Sequence, residues 1–285
     1  MAWGNEQDKL EDVTFIVKTF ERFNCVKRLV KSIYRYYPDA IIRIADDSEK
    51  SCKAYLEQKY GNKDLKVYEL PSDVGLSYGR NYLMDRVETK YFCLLDDDFV
   101  FDKKTDIAAA MKMIQEKDLD ILGGFFRNYN AKQGVKARLK SIARTILLRK
   151  APYKPYNYMG ELRLDSENRI LYGDYITNQF PDYKVVDIVH NFFVARTSVI
   201  REKNRWDDEL KLQEHTAFFV QAKQNGIRVA FTNRFSVQHW PFRPAKYQSF
   251  RLRDIDYFGI FLRKMNIQKW VKTINGSEAQ IREID

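Results

Sequence analysis

The sequence predicts an α/β fold with a mainly parallel central sheet and helices on both faces. Three observations carry that prediction. Short apolar runs alternate with amphipathic stretches through the first hundred residues, the pattern of βαβ units. Three of the predicted strand ends carry polar groups, Lys18-Thr19, Asp46-Asp47 and Asp96-Asp97-Asp98, and parallel sheets bind ligands beyond the carboxyl ends of their strands. A content of 45% hydrophobic and 14% aromatic residues over 285 positions supplies core for one large domain or two small ones and excludes a dominantly disordered chain.

The elements follow in order. Val13 to Val17 is β-branched and aromatic, hence a buried strand. Phe20 to Tyr37 is a helix, with Val26, Leu29, Val30, Ile33 and Tyr34 at helical spacing and Pro38 as its stop. Ala40 to Ala45 is a second strand. A helix follows to about Tyr60, and Gly61-Asn62 ends it. Leu65 to Leu70 is a third strand, Leu76 to Val87 a helix, and Tyr91 to Leu95 a fourth strand that runs into Asp96-Asp97-Asp98.

The middle of the chain changes character. Ile121 to Gly160 holds nine Lys or Arg and no acidic residue, with Val135, Leu139, Ile142, Ile146 and Leu147 at helical spacing. Glu161 to Leu171 reads as a hairpin turning at Ser166-Glu167-Asn168. Val185 to Thr197 reads as strand and Gln213 to Asn225 as a helix ended by Gly226. Ile227 to Phe231 and Phe235 to Gln238 are late strands. The chain divides into an N-terminal extension (1–11), one domain (12–245) and a basic C-terminal helical tail (246–285).

No apolar run reaches the ~20 residues a membrane-spanning helix needs, and no export signal is visible. Cys25, Cys52 and Cys93 match no metal spacing and no disulfide framework, so a reducing, cytoplasmic setting is expected. Lys plus Arg is 49 against 39 Asp plus Glu, a net charge of +10. Such a balance favours polyanions: nucleic acid, an anionic membrane face or phosphorylated small molecules.

Chemistry concentrates at the strand ends. Three adjacent carboxylates at 96–98 repel one another unless a cation or donors compensate. Mg²⁺ and Mn²⁺ prefer oxygen ligands and bridge carboxylates to phosphates, so a metal–diphosphate site is one reading and a solvated acidic turn the other. At the second strand end Asp46 is the candidate to accept from a ribose hydroxyl or a base nitrogen, with Ser48 left as helix cap. Gly75-Leu76-Ser77-Tyr78-Gly79-Arg80-Asn81 opens a helix, where glycine admits close approach and Arg80 can pair with phosphate. Trp206 and Trp240 are candidates either to stack on sugar rings or to pack in the core.

Taken together, Val17-Lys18-Thr19-Phe20, Ile44-Ala45-Asp46-Asp47-Ser48, Gly75 with Gly79-Arg80-Asn81, and Leu95-Asp96-Asp97-Asp98-Phe99-Val100-Phe101 form an ordered set. That set resembles a glycosyltransferase of the Rossmann-like GT-A fold. Within the fold it is similar to family 2 enzymes, and most closely to the ganglioside-type β-1,4-N-acetylgalactosaminyltransferases. His190 to Thr197 and Trp206 to Leu210 resemble that group's acceptor-side segments. The resemblance covers residues 12 to 240 or so. It implies a nucleotide-binding half over about 12–101 and an acceptor half over about 102–245.

The resemblance implies a UDP-sugar donor, of GalNAc or a related hexose, with Mn²⁺ or Mg²⁺. Thr19, Asp46 and Arg80 would line the nucleotide, Asp96 would face the ribose, Asp98 would bind the metal with Asp97 nearby, and His239 would complete metal and diphosphate binding. Inverting transfer also needs a base near the acceptor hydroxyl. The family's Glu-Asp pair at the start of a late helix is here Gln213-Glu214-His215-Thr216, so Glu214 is the expected base, with His215 as runner-up and Asp187 and Asp208 behind them. A helix-start role is the other reading of Glu214.

The expected acceptor is a glycan or a glycolipid. The basic segments 127–154 and 243–272 are either contacts for the inner, anionic face of a membrane or solvated helix faces. Two other functions compete: a sugar-nucleotide-binding GT-A protein without catalysis, and a basic nucleic-acid-binding protein. The acidic strand ends speak against nucleic acid as a partner, because they repel phosphate unless a metal intervenes.

Overall fold

The computed structural model describes residues 10–129, 153–253 and 255–284. A central sheet is built on β1 (Val13–Thr19), β2 (Ile41–Asp46), β3 (Leu65–Glu69) and β4 (Tyr91–Asp96), all parallel in the order β4-β1-β2-β3. The alternation of apolar runs and helices dictates this half. α1 (Phe23–Tyr36), α2 (Lys53–Lys59) and α3 (Leu76–Met84) make its crossovers.

Beyond β4 the sheet continues through β11 (Phe193–Arg196), β6 (Ile121–Asn128), β12 (Val229–His239) and β10 (Lys184–Val186). Along this path only β11 and β10 run against the rest. β5 (Phe99–Val100) pairs with the end of β12, and β7 (Lys154–Tyr156) with β6. The two late strands expected at 227–231 and 235–238 are one strand, β12, with a register break between Phe231 and Ser236. Beyond the break β12 stays paired with β6 as far as His239↔Asn128, and His239 also pairs with Phe99 and so stands beside the acidic triplet.

Helices cover both faces. α1, α2 and α4 (Ile107–Glu116) bury Val26, Leu29, Leu56, Met111 and Ile114 on one face of the sheet. α3, α5 (Thr197–Lys203) and α6 (Glu214–Gln224) bury Leu83, Ile200, Phe218 and Phe219 on the other. Removing this apolar area from water is the main stabilising term.

The 246–285 tail departs from expectation. α7 (Ala245–Arg251) and α8 (Tyr257–Lys264) are helical, but β13 (Lys269–Ile274) and β14 (Ser277–Glu283) form a hairpin turning at Asn275-Gly276. β13 pairs in parallel with β9 (Ile170–Ile176), which pairs with β8 (Met159–Asp165), giving a second sheet in the order β14-β13-β9-β8. Asn-Gly supplies the positive φ that a tight hairpin requires, and the flanking residues carry alternation of period two rather than helical spacing. The β8–β9 hairpin lies where the sequence predicts a hairpin. The helical spacing at 135–147 lies outside the described residues. No helix among the described residues is long and apolar enough to cross a membrane. Cys25, Cys52 and Cys93 are free and buried.

Candidate active site

The carboxyl ends of β1, β2 and β4 meet the start of α6 and the end of β12. Beside this meeting a cleft opens between the ends of β1 and β2 and α7. Lys18, Asp47 and Gly75 line one side of it, and Tyr247 and Phe250 of α7 line the other. Phe250 meets Phe20 edge to face at 4.8 Å. An adjoining hollow of about 390 Å³ is lined by Thr19, Asp46 and Ser48 among others.

Two glycines shape the wall. Gly75 has φ +96°, and a Cβ there would meet Lys211 at 2.7 Å. A Cβ on Gly79 would lie 2.6 Å from Lys18 Cγ, so its absence lets α3 sit against the end of β1.

At the second strand end the two aspartates take different roles. Asp46 accepts from the backbone N–H of Ser48 (3.0 Å) and Cys52 (2.7 Å), so it caps the entry to α2. Ser48 Oγ instead accepts from Glu21 N–H at 2.6 Å. Asp47 lines the cleft, bonded to Lys18 and to Gly75 N–H. The reason is local: an extended Asp at the strand end reaches forward to the amides of the next turn.

Arg80 also differs from a residue open to the nucleotide. It is 1% exposed, with one guanidinium nitrogen bonded to Glu214 and another 3.5 Å from Asp96. Its plane lies over Trp206. It therefore positions Asp96, whose side chain is 34% exposed, and the start of α6. Thr19 is likewise buried and donates to Asp97 Oδ2 at 2.6 Å.

Asp98 and His239 converge. Asp98 Oδ2 lies 3.5 Å from His239 Nε2. His239 Nδ1 donates to Asn128 Oδ1 at 2.6 Å, which leaves Nε2 turned toward the carboxylate. Although burial opposes charge on Asp98, His239 and Arg22 hold its carboxyl below the usual value. No group of three or more His, Cys, Asp or Glu among the described residues is arranged to hold a metal. One carboxylate and one oriented imidazole do fit a divalent ion that takes its other ligands from phosphate and water.

Arg22, absent from the sequence reading, crosses the triplet. Its Nε lies 3.2 Å from Asp97 Oδ2 and one terminal nitrogen 2.9 Å from Asp98 Oδ2. An arginine at the start of α1, where an acidic or hydroxyl cap is usual, is the one signal the sequence offers for it.

The start of α6 separates the two base candidates. Glu214 is 3% exposed and committed to Arg80. His215 is half-buried, and its Nδ1 donates to Asn191 Oδ1 at 2.6 Å. Burial, only partly offset by Glu214, holds the His215 imidazole down to about 4. Gln213, just before, takes left-handed backbone at φ +61°, an arrangement that concentrates at functional sites. Asp187 is taken by Leu162 N–H and Lys223, and Asp208 by Asn81. His190 stacks on Phe126 at 3.8 Å and is buried.

The tryptophans divide. Trp206 is buried and stacks on Phe218 at 4.3 Å, so it belongs to the core rather than to a sugar platform. Trp240 stacks on Tyr129 at 4.5 Å and is only half-buried.

Residues 14–202 match the family described as Glycosyl transferase family 2. Over 227 residues the chain is 30% identical to beta-1,4 N-acetylgalactosaminyltransferase 1 of Homo sapiens, covering 80% of this chain and 38% of that protein. Over 121 residues it is 37% identical to beta-1,4 N-acetylgalactosaminyltransferase 2 of Mus musculus, covering 42% of this chain and 22% of that protein. The chain thus spans well under half the length of these curated relatives. Among solved structures it is similar to S. aureus TarS 1–349 in complex with UDP-GlcNAc, with a TM-score of 0.54 and 16% identity over 89% of this chain and 71% of that one. At that identity the likeness is one of fold.

Proposed function

The chain belongs to glycosyl transferase family 2 and has the GT-A fold, and from that premise we propose that it moves a sugar, GalNAc or a related hexose, from a UDP-sugar to a glycan or glycolipid hydroxyl with inversion. The observation that carries this reading is the approach of Asp98, just past the end of β4, to His239 at the end of β12. The relatives named as N-acetylgalactosaminyltransferases and the TarS complex with UDP-GlcNAc support the donor class.

In this reading the nucleoside lies between Lys18, Asp47 and Gly75 on one side and Tyr247 and Phe250 on the other. Asp96, steadied by Arg80, accepts from the ribose. Asp98 and His239 would hold Mn²⁺ or Mg²⁺, which when bound would offset charge growing on the leaving diphosphate. Thr19 fixes Asp97 beside them.

His215 takes the proton of the acceptor hydroxyl. Its Nδ1–H is pinned on Asn191, so Nε2 is the basic nitrogen. The imidazole is neutral near pH 7 because burial opposes its charge. Glu214 holds the helix start through Arg80 rather than touching the acceptor. Exposed Phe242, Leu252 and Ile255 stand close in sequence to Arg243, Lys246 and Arg251. That pairing of apolar and basic residues supports peripheral contact with the anionic, cytoplasmic face of a membrane that bears the acceptor.

The test is turnover of UDP-GalNAc and UDP-GlcNAc with Mn²⁺ and with a chelator, reading UDP release and the anomeric configuration of the product. With a glycan acceptor supplied, UDP and a β-glycoside are expected with Mn²⁺ and not with the chelator. Donor binding with neither transfer nor hydrolysis would instead favour a non-catalytic sugar-nucleotide-binding protein.

A further inference from the structure

Arg22 occupies the ground that the divalent ion of the proposed reaction needs. Its guanidinium meets both oxygens of Asp97 and lies 2.9 Å from Asp98 Oδ2. That same Oδ2 faces His239 Nε2 at 3.5 Å. An ion shared by Asp98 and His239 would therefore stand against a fixed positive charge in a poorly solvated place, since the Arg22 side chain is only 11% exposed.

Arg22 is also the floor under the segment that follows β12. Its guanidinium lies 4.4 Å from the Tyr247 ring centre, and it donates to Phe242 O at 3.4 Å. Beside it Lys246 pairs with Glu21 at 3.2 Å and Glu49 at 2.5 Å. α7 buries none of its own residues, so polar and ring contacts hold it rather than core packing. Elements held in that way open at low cost.

We infer that Arg22 is a resident counter-cation for Asp97 and Asp98 that the divalent ion displaces, and that its withdrawal loosens the 242–251 segment over the nucleotide cleft. The inference rests on the metal reading given above. Before the ion arrives, Arg22 keeps the acidic triplet from repelling itself. Once the ion and the diphosphate are in place, phosphate oxygens offer Arg22 a replacement partner of matching geometry. The ion is therefore held weakly without the nucleotide and firmly with it, and loading is ordered.

The test is Mn²⁺ binding followed by electron paramagnetic resonance on the full chain, with and without UDP. Arg22→Met keeps the length that packs under Tyr247 and removes the charge. Without UDP it should bind Mn²⁺ at least tenfold more tightly than the unsubstituted protein, and the advantage conferred by UDP should shrink. Equal or weaker binding by Arg22→Met, when the unsubstituted protein binds Mn²⁺ with UDP, would overturn the role of Arg22 alone. Failure of the unsubstituted protein to bind Mn²⁺ with UDP would overturn the metal reading and this inference together. A second measurement needs no variant: Mn²⁺ should speed amide exchange across 243–251 several-fold, and unchanged exchange at saturating Mn²⁺ would overturn the coupling.

Discussion

His215 Nδ1 donates to Asn191 Oδ1 at 2.6 Å. The bond decides which nitrogen of the imidazole can accept a proton, and it comes from the His190-Asn191 pair just ahead of β11. His215→Gln should lower kcat by about 10²–10⁴-fold with little change in donor KM. Asn191→Leu should cost about 10²-fold through lost orientation. Because the folded imidazole sits at about 4, kcat should stay level on acidification until pH approaches that value. An acid limb near the ordinary histidine value of about 6.5 would remove His215 as the base.

The ion site should depend on a residue that touches no ion. Asn128 orients His239. Asn128→Ala should therefore weaken Mn²⁺ by about 10–100-fold, as loss of such supporting bonds does elsewhere. Titrating transfer against Mn²⁺ reads this directly. Asp98→Ala should abolish the Mn²⁺ response altogether.

Arg80 and Glu214 form a buried pair at 1% and 3% side-chain exposure. Removing one partner strands the other charge. Arg80→Met or Glu214→Leu alone should cost about 3–5 kcal/mol in urea unfolding. The double substitution should recover much of that loss, which a mere packing role for each residue would not produce.

Acid should unfold the protein through its enclosed imidazoles. His190 is held well below 6.5 by burial, then by its neighbours His215 and His239. The unfolded chain takes up protons that the folded one refuses, so stability is full above the unfolded value and declines as pH falls toward the folded one. The loss approaches about 1.4 kcal/mol per pH unit for each such group. His190→Phe, which keeps a ring against Phe126, should flatten the fall between about pH 6.5 and 5. An unchanged slope in a pH series of urea melts would contradict it.

The first four strands were legible because each is an apolar run bounded by a helix of period 3.6, and local pattern alone defines them. Strand β6 was not, since Gly123-Gly124 interrupts its apolar run and reads as a break. The β13–β14 hairpin was hidden for another reason: its lysines and glutamates stand on solvated faces and mimic a charged helix. In the site, the acidic triplet and His239 announced themselves at strand ends. Arg22, Asn128 and Asn191 did not, because each acts through a partner far away in sequence. Asp46 and Asp47 could not be told apart by adjacency, because only the direction of each side chain decides which one caps and which one lines the cleft.

The strand order has a consequence for biosynthesis. Asp98 leaves the ribosome early, with the half of the sheet that can pair locally, whereas β12 must thread in beside β6 before His239 can reach it. The two groups of the proposed ion site therefore come together only once β12 has paired with both β6 and β5.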